Sequence, residues 1–190
     1  MSTQTSPPLP HRADARRNRE RLVAAAAAVF ADEGANAPLD KIARAAGIGN
    51  ATMYRHFPTR DALLEAVLHD VYRKLIDLAE QLATVTPAID AVDRWLRAFI
   101  NYSQSYLYLP EQIIAAAYDE TSALHASCEA MRSVASRLIA RAQEDGVLRA
   151  DIDILDLCAH ANGIAWATQR SPDREQITRM LAVLLHGLRA

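Results

Sequence analysis

The chain has 190 residues, with six glycines, eight prolines, two cysteines and a formal net charge of −2, long enough for one domain or two small ones around a buried core. From two cysteines, Cys128 and Cys158, no disulfide framework can be inferred, and the longest apolar run, Leu22 to Ala31, is too short and too alanine-rich to span a bilayer. Without a leader-like apolar core at the N-terminus, the expectation is a cytoplasmic protein with reduced thiols and no membrane partner. Residues 1–60 carry nine Lys/Arg against five Asp/Glu, whereas residues 61–190 carry twelve against eighteen. A basic first third on an acidic body is the charge asymmetry expected of phosphate contact.

Pro7, Pro8 and Pro10, set beside Ser and Thr, predict a disordered arm over 1–12. From 13 a helix begins whose first turns are dominated by Arg16, Arg17, Arg19 and Arg21. Leu22, Val23, Ala26, Val29 and Phe30 give it one apolar face, and Gly34 ends it. The arginines fit either a solvated face with local ion pairs to Asp14 and Glu20 or phosphate binding, for which Arg17 is the candidate. Pro38 can open a second helix, because proline is accepted in a first turn. Ile42, Ala43 and Ala46 form its stripe and Gly47 stops it. A third helix opens at Gly49-Asn50 with free N-terminal amides able to meet a phosphate, and buries Met53 and Phe57. Two short helices joined at a glycine are the helix-turn-helix pattern, whose second helix enters the major groove. The second helix here offers Asn50, Thr52, Tyr54, Arg55 and His56, and no acid.

Thr59 is the N-cap expected for a long helix with Asp61 in its first turn. Its stripe of Leu63, Leu64, Val67, Leu68, Val71, Leu75, Leu78 and Leu82 runs until Thr84–Pro87. The body then predicts helices from about Ala88 to Tyr106, Glu111 to Tyr118, Ser122 to Asp145, Ile152 to Gln169 (capped by Asp151 and Asp153) and, after Ser171-Pro172-Asp173, a last one to Leu188. No period-2 strand pattern of useful length and no internal repeat occurs, so the fold class is all-α.

The basic first helix, Ile42-Ala43…Ala46-Gly47-Ile48…Thr52-Met53-Tyr54-Arg55-His56-Phe57-Pro58 and Arg60-Asp61-Ala62-Leu63-Leu64 together resemble the TetR-type transcriptional regulators over about Arg16 to Leu68. The resemblance implies a homodimer with a three-helix DNA-binding domain (13–60) and a helical ligand-binding and dimerisation domain (61–190). It implies a repressor released from a pseudo-palindromic double-stranded DNA operator by a small molecule. Position by position, Thr52, Tyr54 and His56 match the phosphate contacts of the recognition helix, and Lys41 and Arg60 match other backbone contacts. Asn50, Ala51 and Arg55 fall where members differ in base choice. Asn can bond adenine and Arg guanine in bidentate fashion, while Thr and Tyr hydroxyls reach phosphate oxygens without carrying a charge. Two positions depart from the family: the Ser or Thr caps usual there are Gly49 and Pro38 here, and glycine is the weaker N-cap.

In the body, aromatics gather at Trp95, Phe99, Tyr102, Tyr106, Tyr108 and Tyr118. With the resemblance added, Phe99, Tyr102, Tyr118, Met131, Asn162 and Trp166 are the expected lining of a pocket for a small, largely apolar effector. Ala159, Gly163 and Ala167 form a small-residue stripe, and Ile177, Met180, Leu181, Leu184, Leu185 and Leu188 an apolar face. The family's four-helix dimer interface would use both, burying roughly 1,500 Å² or more in total. Metal ligation by His125, Cys128, Cys158 and His160 lacks a compact ligand motif, so no metal and no cofactor are expected. There is no nucleophile elbow, phosphate-cradling glycine loop or His-Glu-x-x-His helix, so an enzyme is not expected. The competing hypothesis is a helical binding or enzymatic domain in which the helix-turn-helix serves packing alone.

Overall fold

The computed structural model describes residues 10–105, 111–169 and 174–189, and among them every regular element is an α-helix. The helices are α1 (Pro10–Glu33), α2 (Leu39–Ala45), α3 (Asn50–His56), α4 (Arg60–Leu82), α5 (Ala88–Ser105), α6 (Glu111–Tyr118), α7 (Ala123–Glu144), α8 (Ile154–Thr168) and α9 (Arg174–Gly187). Most of the expected arm, together with Tyr106, Tyr108, the break at Pro110 and the break at 171–173, lies outside the described residues. The helix α1 already begins at Pro10, three residues before its expected start at 13, since a proline in the first turn costs no hydrogen bond. The chain divides into two compact units after Val67, so the division falls two turns into α4 instead of at its start.

In the first unit α1 packs on α2 and α2 on α3. All five residues of the α1 face are buried, as are Ile42, Ala43, Ala46, Met53 and Phe57. The first turn of α4 is tied to the α1–α2 connection by Arg60, whose Nη1 donates to the carbonyls of Ala35 (2.9 Å) and Ala37 (2.5 Å). Those two bonds explain why the start of α4 belongs with the first unit.

The turn between α2 and α3 depends on Gly47, at φ +62°. Its amide bonds the Arg44 carbonyl (3.0 Å), and the Ile48 amide bonds Ala43 (2.9 Å), closing α2 with a left-handed residue. A Cβ at Gly47 would also lie 2.8 Å from Arg21 Nη2, the atom that bonds the Ala46 carbonyl at 2.6 Å. Gly47→Ala is therefore expected to destabilise the first unit by about 1–2 kcal/mol, the usual cost of a left-handed residue bearing a side chain. A lowered thermal midpoint checks this; an unchanged one contradicts it.

In the second unit α5 runs along α8, α7 flanks both, α6 lies on α7, and α9 packs on α8 and α5. One core joins the latter part of α4 to α5, α7, α8 and α9. At its centre Trp95 stacks on Phe99 with centroids 5.4 Å apart and donates its indole N–H to the Leu75 carbonyl (3.1 Å), so a large buried aromatic leaves no donor unpaired. Ser122 caps α7 by accepting from the His125 amide. Asp153 caps α8 in a reciprocal box with Asp156. Asp151, expected as a second cap, instead pairs with Arg149 through two 2.6 Å bonds, and α8 begins at Ile154. No described helix is long and apolar enough to cross a membrane.

Candidate nucleic-acid interface and effector cavity

Seven residues make up α3, and packing uses only one face of it. Met53 is buried and the capping Phe57 follows it inside, while Asn50, Ala51, Tyr54 and Arg55 are exposed and Thr52 and His56 half-buried. Tyr54 is 46% exposed, so its ring is not core. The helix has no acid in its first turn and Arg55 and His56 in its last, which suits its own dipole and leaves a neutral-to-basic outer surface. Arg55 Nη2 donates to Thr52 Oγ1 (2.8 Å). Asn50 Nδ2 donates to Asp40 Oδ1 (3.0 Å), a second-helix carboxylate that sequence reading did not connect with it. The remaining amide oxygen of Asn50 leaves an acceptor for a base edge.

The basic residues around this helix divide by the partners they hold. Arg17 pairs with Asp14 and Arg16 with Glu20 (3.6 Å), all four largely exposed, so the local ion pairs exist and are of the kind water weakens. Lys41 pairs with Glu33. Arg60 carries the two carbonyl bonds that seat α4, a structural task its phosphate assignment did not anticipate. Arg21 ties α1 to the end of α2, and the Arg19 guanidinium lies 5.2 Å from the Phe57 ring centroid. The i, i+3 and i, i+4 spacings announce the pairs with Asp14 and Glu20; the Lys41–Glu33 pair, eight residues apart, and the contacts of Arg19, Arg21 and Arg60, which join residues 23 to 38 apart, have no local signature.

The second unit carries a half-open cavity of about 310 Å³. The structure brings Phe99, Tyr102, Tyr118, Met131 and Asn162 to its wall, together with Leu68, Val71, Tyr72 and Leu75 of α4. Trp166 is not there. Its side chain is 69% exposed, because the inward stripe of α8 is Ile154, Leu157, Cys158, Ala161, Ile164, Ala165 and Thr168. This corrects the expected lining. Cys128, Cys158 and Arg132 also line the cavity; the sequence points to the cysteines as reduced thiols or metal ligands and not as cavity wall. Burial pushes the Cys158 thiol up to about 12, and the neighbouring Cys128 adds to the effect against the opposing pull of Arg132. Burial raises Cys128 as well, and raises the Tyr72 phenol, which shares a hydrogen bond with the Cys128 thiol. Both thiols are thus protonated and poor nucleophiles near neutral pH. The ring of His125 bonds the Ala117 carbonyl (3.0 Å) and that of His160 the Asp156 carbonyl (2.8 Å). Among the described residues no group of three or more His, Cys, Asp or Glu is placed to hold a metal ion.

A third feature lies on α8 and α9. Ala159, Gly163 and Ala167 are all exposed, flanked on α8 by exposed Leu155 and Trp166 and accompanied on α9 by Val183, itself 75% exposed. The expected α9 face needs correction. Ile177, Leu181, Leu185 and Leu188 are buried in the core of their own unit, and only Met180 and Leu184 are half-buried at its edge. Four of the six are consumed by packing α9 onto α8 and α5 and are unavailable to a partner.

A helix-turn-helix with an outward, acid-free second helix, followed by an all-helical unit, has the architecture of a bacterial DNA-binding regulator. Residues 22–67 match the bacterial regulatory proteins of the tetR family, and residues 86–190 match the C-terminal domain of SbtR-like transcriptional regulators. The TetR transcriptional regulator SCO0520 from Streptomyces coelicolor is 36% identical, with 90% of this chain and 98% of that one covered at a TM-score of 0.73. A TetR regulatory protein from Mycobacterium vanbaalenii is 31% identical, covering 95% and 100% at a TM-score of 0.65. The reduced form of NemR from E. coli is similar in fold alone, at 16% identity, 91% and 97% coverage and a TM-score of 0.69. No curated protein matches the sequence. The chain belongs to the TetR family of transcriptional regulators; it is a DNA-binding regulator and not an enzyme.

Proposed function

We propose that the protein is a homodimeric repressor whose two α3 helices read a pseudo-palindromic operator and whose cavity binds a small, largely apolar effector that releases it. The observation that carries this is the outward face of α3, exposed and free of acids. In this assignment Thr52, Tyr54 and His56 contact phosphates with Arg17, Lys41 and the amide end at Gly49 in support, and Arg60 does so only at the expense of its carbonyl bonds. Asn50, Ala51 and Arg55 face the bases. Asn50 would exchange its Asp40 partner for a base edge, so Asp40 limits the net gain from that contact. The dimer would form through Ala159, Gly163 and Ala167 with Leu155, Trp166, Met180, Val183 and Leu184.

Coupling runs along α4. Leu68, Val71, Tyr72 and Leu75 form part of the cavity wall, and the same helix begins at Arg60, bonded to Ala35 and Ala37. An effector that fits one position of α4 better than another shifts the protein between DNA-competent and DNA-free states, by no more than its difference in affinity for the two. Retention of genomic fragments on immobilised protein tests the central part. Affinity should fall by about 10³ or more between 50 and 200 mM salt if six or more phosphates are neutralised per dimer. Salt-independent retention, or none, would favour a helix-turn-helix used for packing alone.

A further inference from the structure

The wall of the cavity is apolar apart from a few hydroxyls and thiols, the Asn162 amide and Arg132, and among the described lining residues Arg132 holds the one formal charge. Its side chain is one-quarter exposed. Arg132 Nη1 donates to Glu129 Oε1, and the Glu129 side chain is half exposed to water. Among the described residues, no hydrogen bond engages Nε or Nη2 of Arg132. A guanidinium whose Nε and Nη2 hold no partner among these residues, beside an apolar wall, is free to take a second acceptor. Its fork matches the two oxygens of a carboxylate, and an organic anion entering an apolar cavity needs such a partner to offset its desolvation. Protonated Cys128 and Cys158 place no competing negative charge beside it.

Size narrows the class further. A cavity of about 150 Å³ holds benzene, and this one, at about 310 Å³, is roughly twice that. We propose that the effector is a small organic carboxylate, an apolar body of one or two rings seated against Phe99 and Met131 with its carboxylate on the Arg132 guanidinium. This rests on the cavity being the effector site. Without Arg132 the same wall would favour a neutral ligand; with it, charge is what the site selects.

The test uses the full chain and a matched pair of probes, 2-naphthoate and its neutral counterpart 2-naphthamide, titrated calorimetrically at neutral pH. The parent is expected to bind naphthoate roughly tenfold or more tightly than naphthamide, the discrimination a charged hydrogen bond supplies. Arg132→Gln should abolish that preference while leaving naphthamide affinity unchanged, which also shows that the variant is folded. Glu129→Gln, outside the cavity lining, should widen the preference by removing the competing carboxylate. Equal affinity of the parent for the two probes, or a preference that survives Arg132→Gln, would overturn the carboxylate assignment. Should both probes bind equally and both be excluded by a cavity-filling Ala117→Phe, the effector cavity stands and its anion selectivity is refuted. Binding of neither probe overturns the carboxylate assignment and counts against the cavity as an effector site.

Discussion

Gly163→Arg is expected to yield a folded monomer whose operator affinity has fallen by a factor of about 10²–10⁴, the contribution of simultaneous engagement by two linked sites. Gly163 lies in mid-α8 on the exposed face, and a Cβ placed there meets nothing within 4 Å. Within one protomer the substitution is therefore harmless; replacing a mid-helix glycine with arginine favours the helix by up to ~1 kcal/mol. In the proposed dimer it would set a long cation into the stripe of Ala159, Gly163 and Ala167, whose small side chains would otherwise let two helices approach closely. Sedimentation should give a monomer at micromolar concentration with full helicity by circular dichroism. A dimer of unchanged stability would move the interface elsewhere on the surface.

Tyr54→Ala is expected to weaken binding to every DNA sequence by about tenfold to a hundredfold. Each lost hydrogen bond contributes about 0.5–1.5 kcal/mol and the dimer loses two. Because Tyr54 is nearly half exposed and absent from the core, the thermal midpoint should stay in place, separating a contact from a fold defect. Asn50→Ala makes the contrast. It removes a side chain held by Asp40 and should change which base is preferred at one position of each half-site more than it changes overall affinity. Competition binding against an operator library reads both effects. A sequence-specific loss from Tyr54→Ala, or a uniform one from Asn50→Ala, would exchange the two roles.

What the sequence revealed follows from the range of the interactions involved. The faces of α1 and α4 were legible because helical periodicity reports burial directly: Leu22, Val23, Ala26, Val29 and Phe30 are all inside. Gly47 announced its turn because few other residues accept its backbone angle. Trp166 and the α9 leucines were misassigned for one shared reason. An apolar residue on an amphipathic helix signals that something covers it, without saying whether the cover is its own core, a ligand or another chain. Trp166 is uncovered within its unit, while Ile177, Leu181, Leu185 and Leu188 are covered by it. Arg21, Arg60 and Arg132 were illegible in another way. Arginine at a helix surface reads as solvated, and only the fold reveals a carbonyl of Ala46, the pair Ala35 and Ala37, or a cavity within its reach.

All of this depends on α3 being offered to duplex DNA twice, by two copies related by a twofold axis. Hydroxyl-radical footprinting on a retained genomic fragment tests that most directly. The expected pattern is two protected half-sites of inverted sequence, centred about one helical turn, 34–36 Å, or a whole multiple of it apart on the same side of the duplex. Protection of a single site with no symmetric partner, or no protection at low salt, would contradict it.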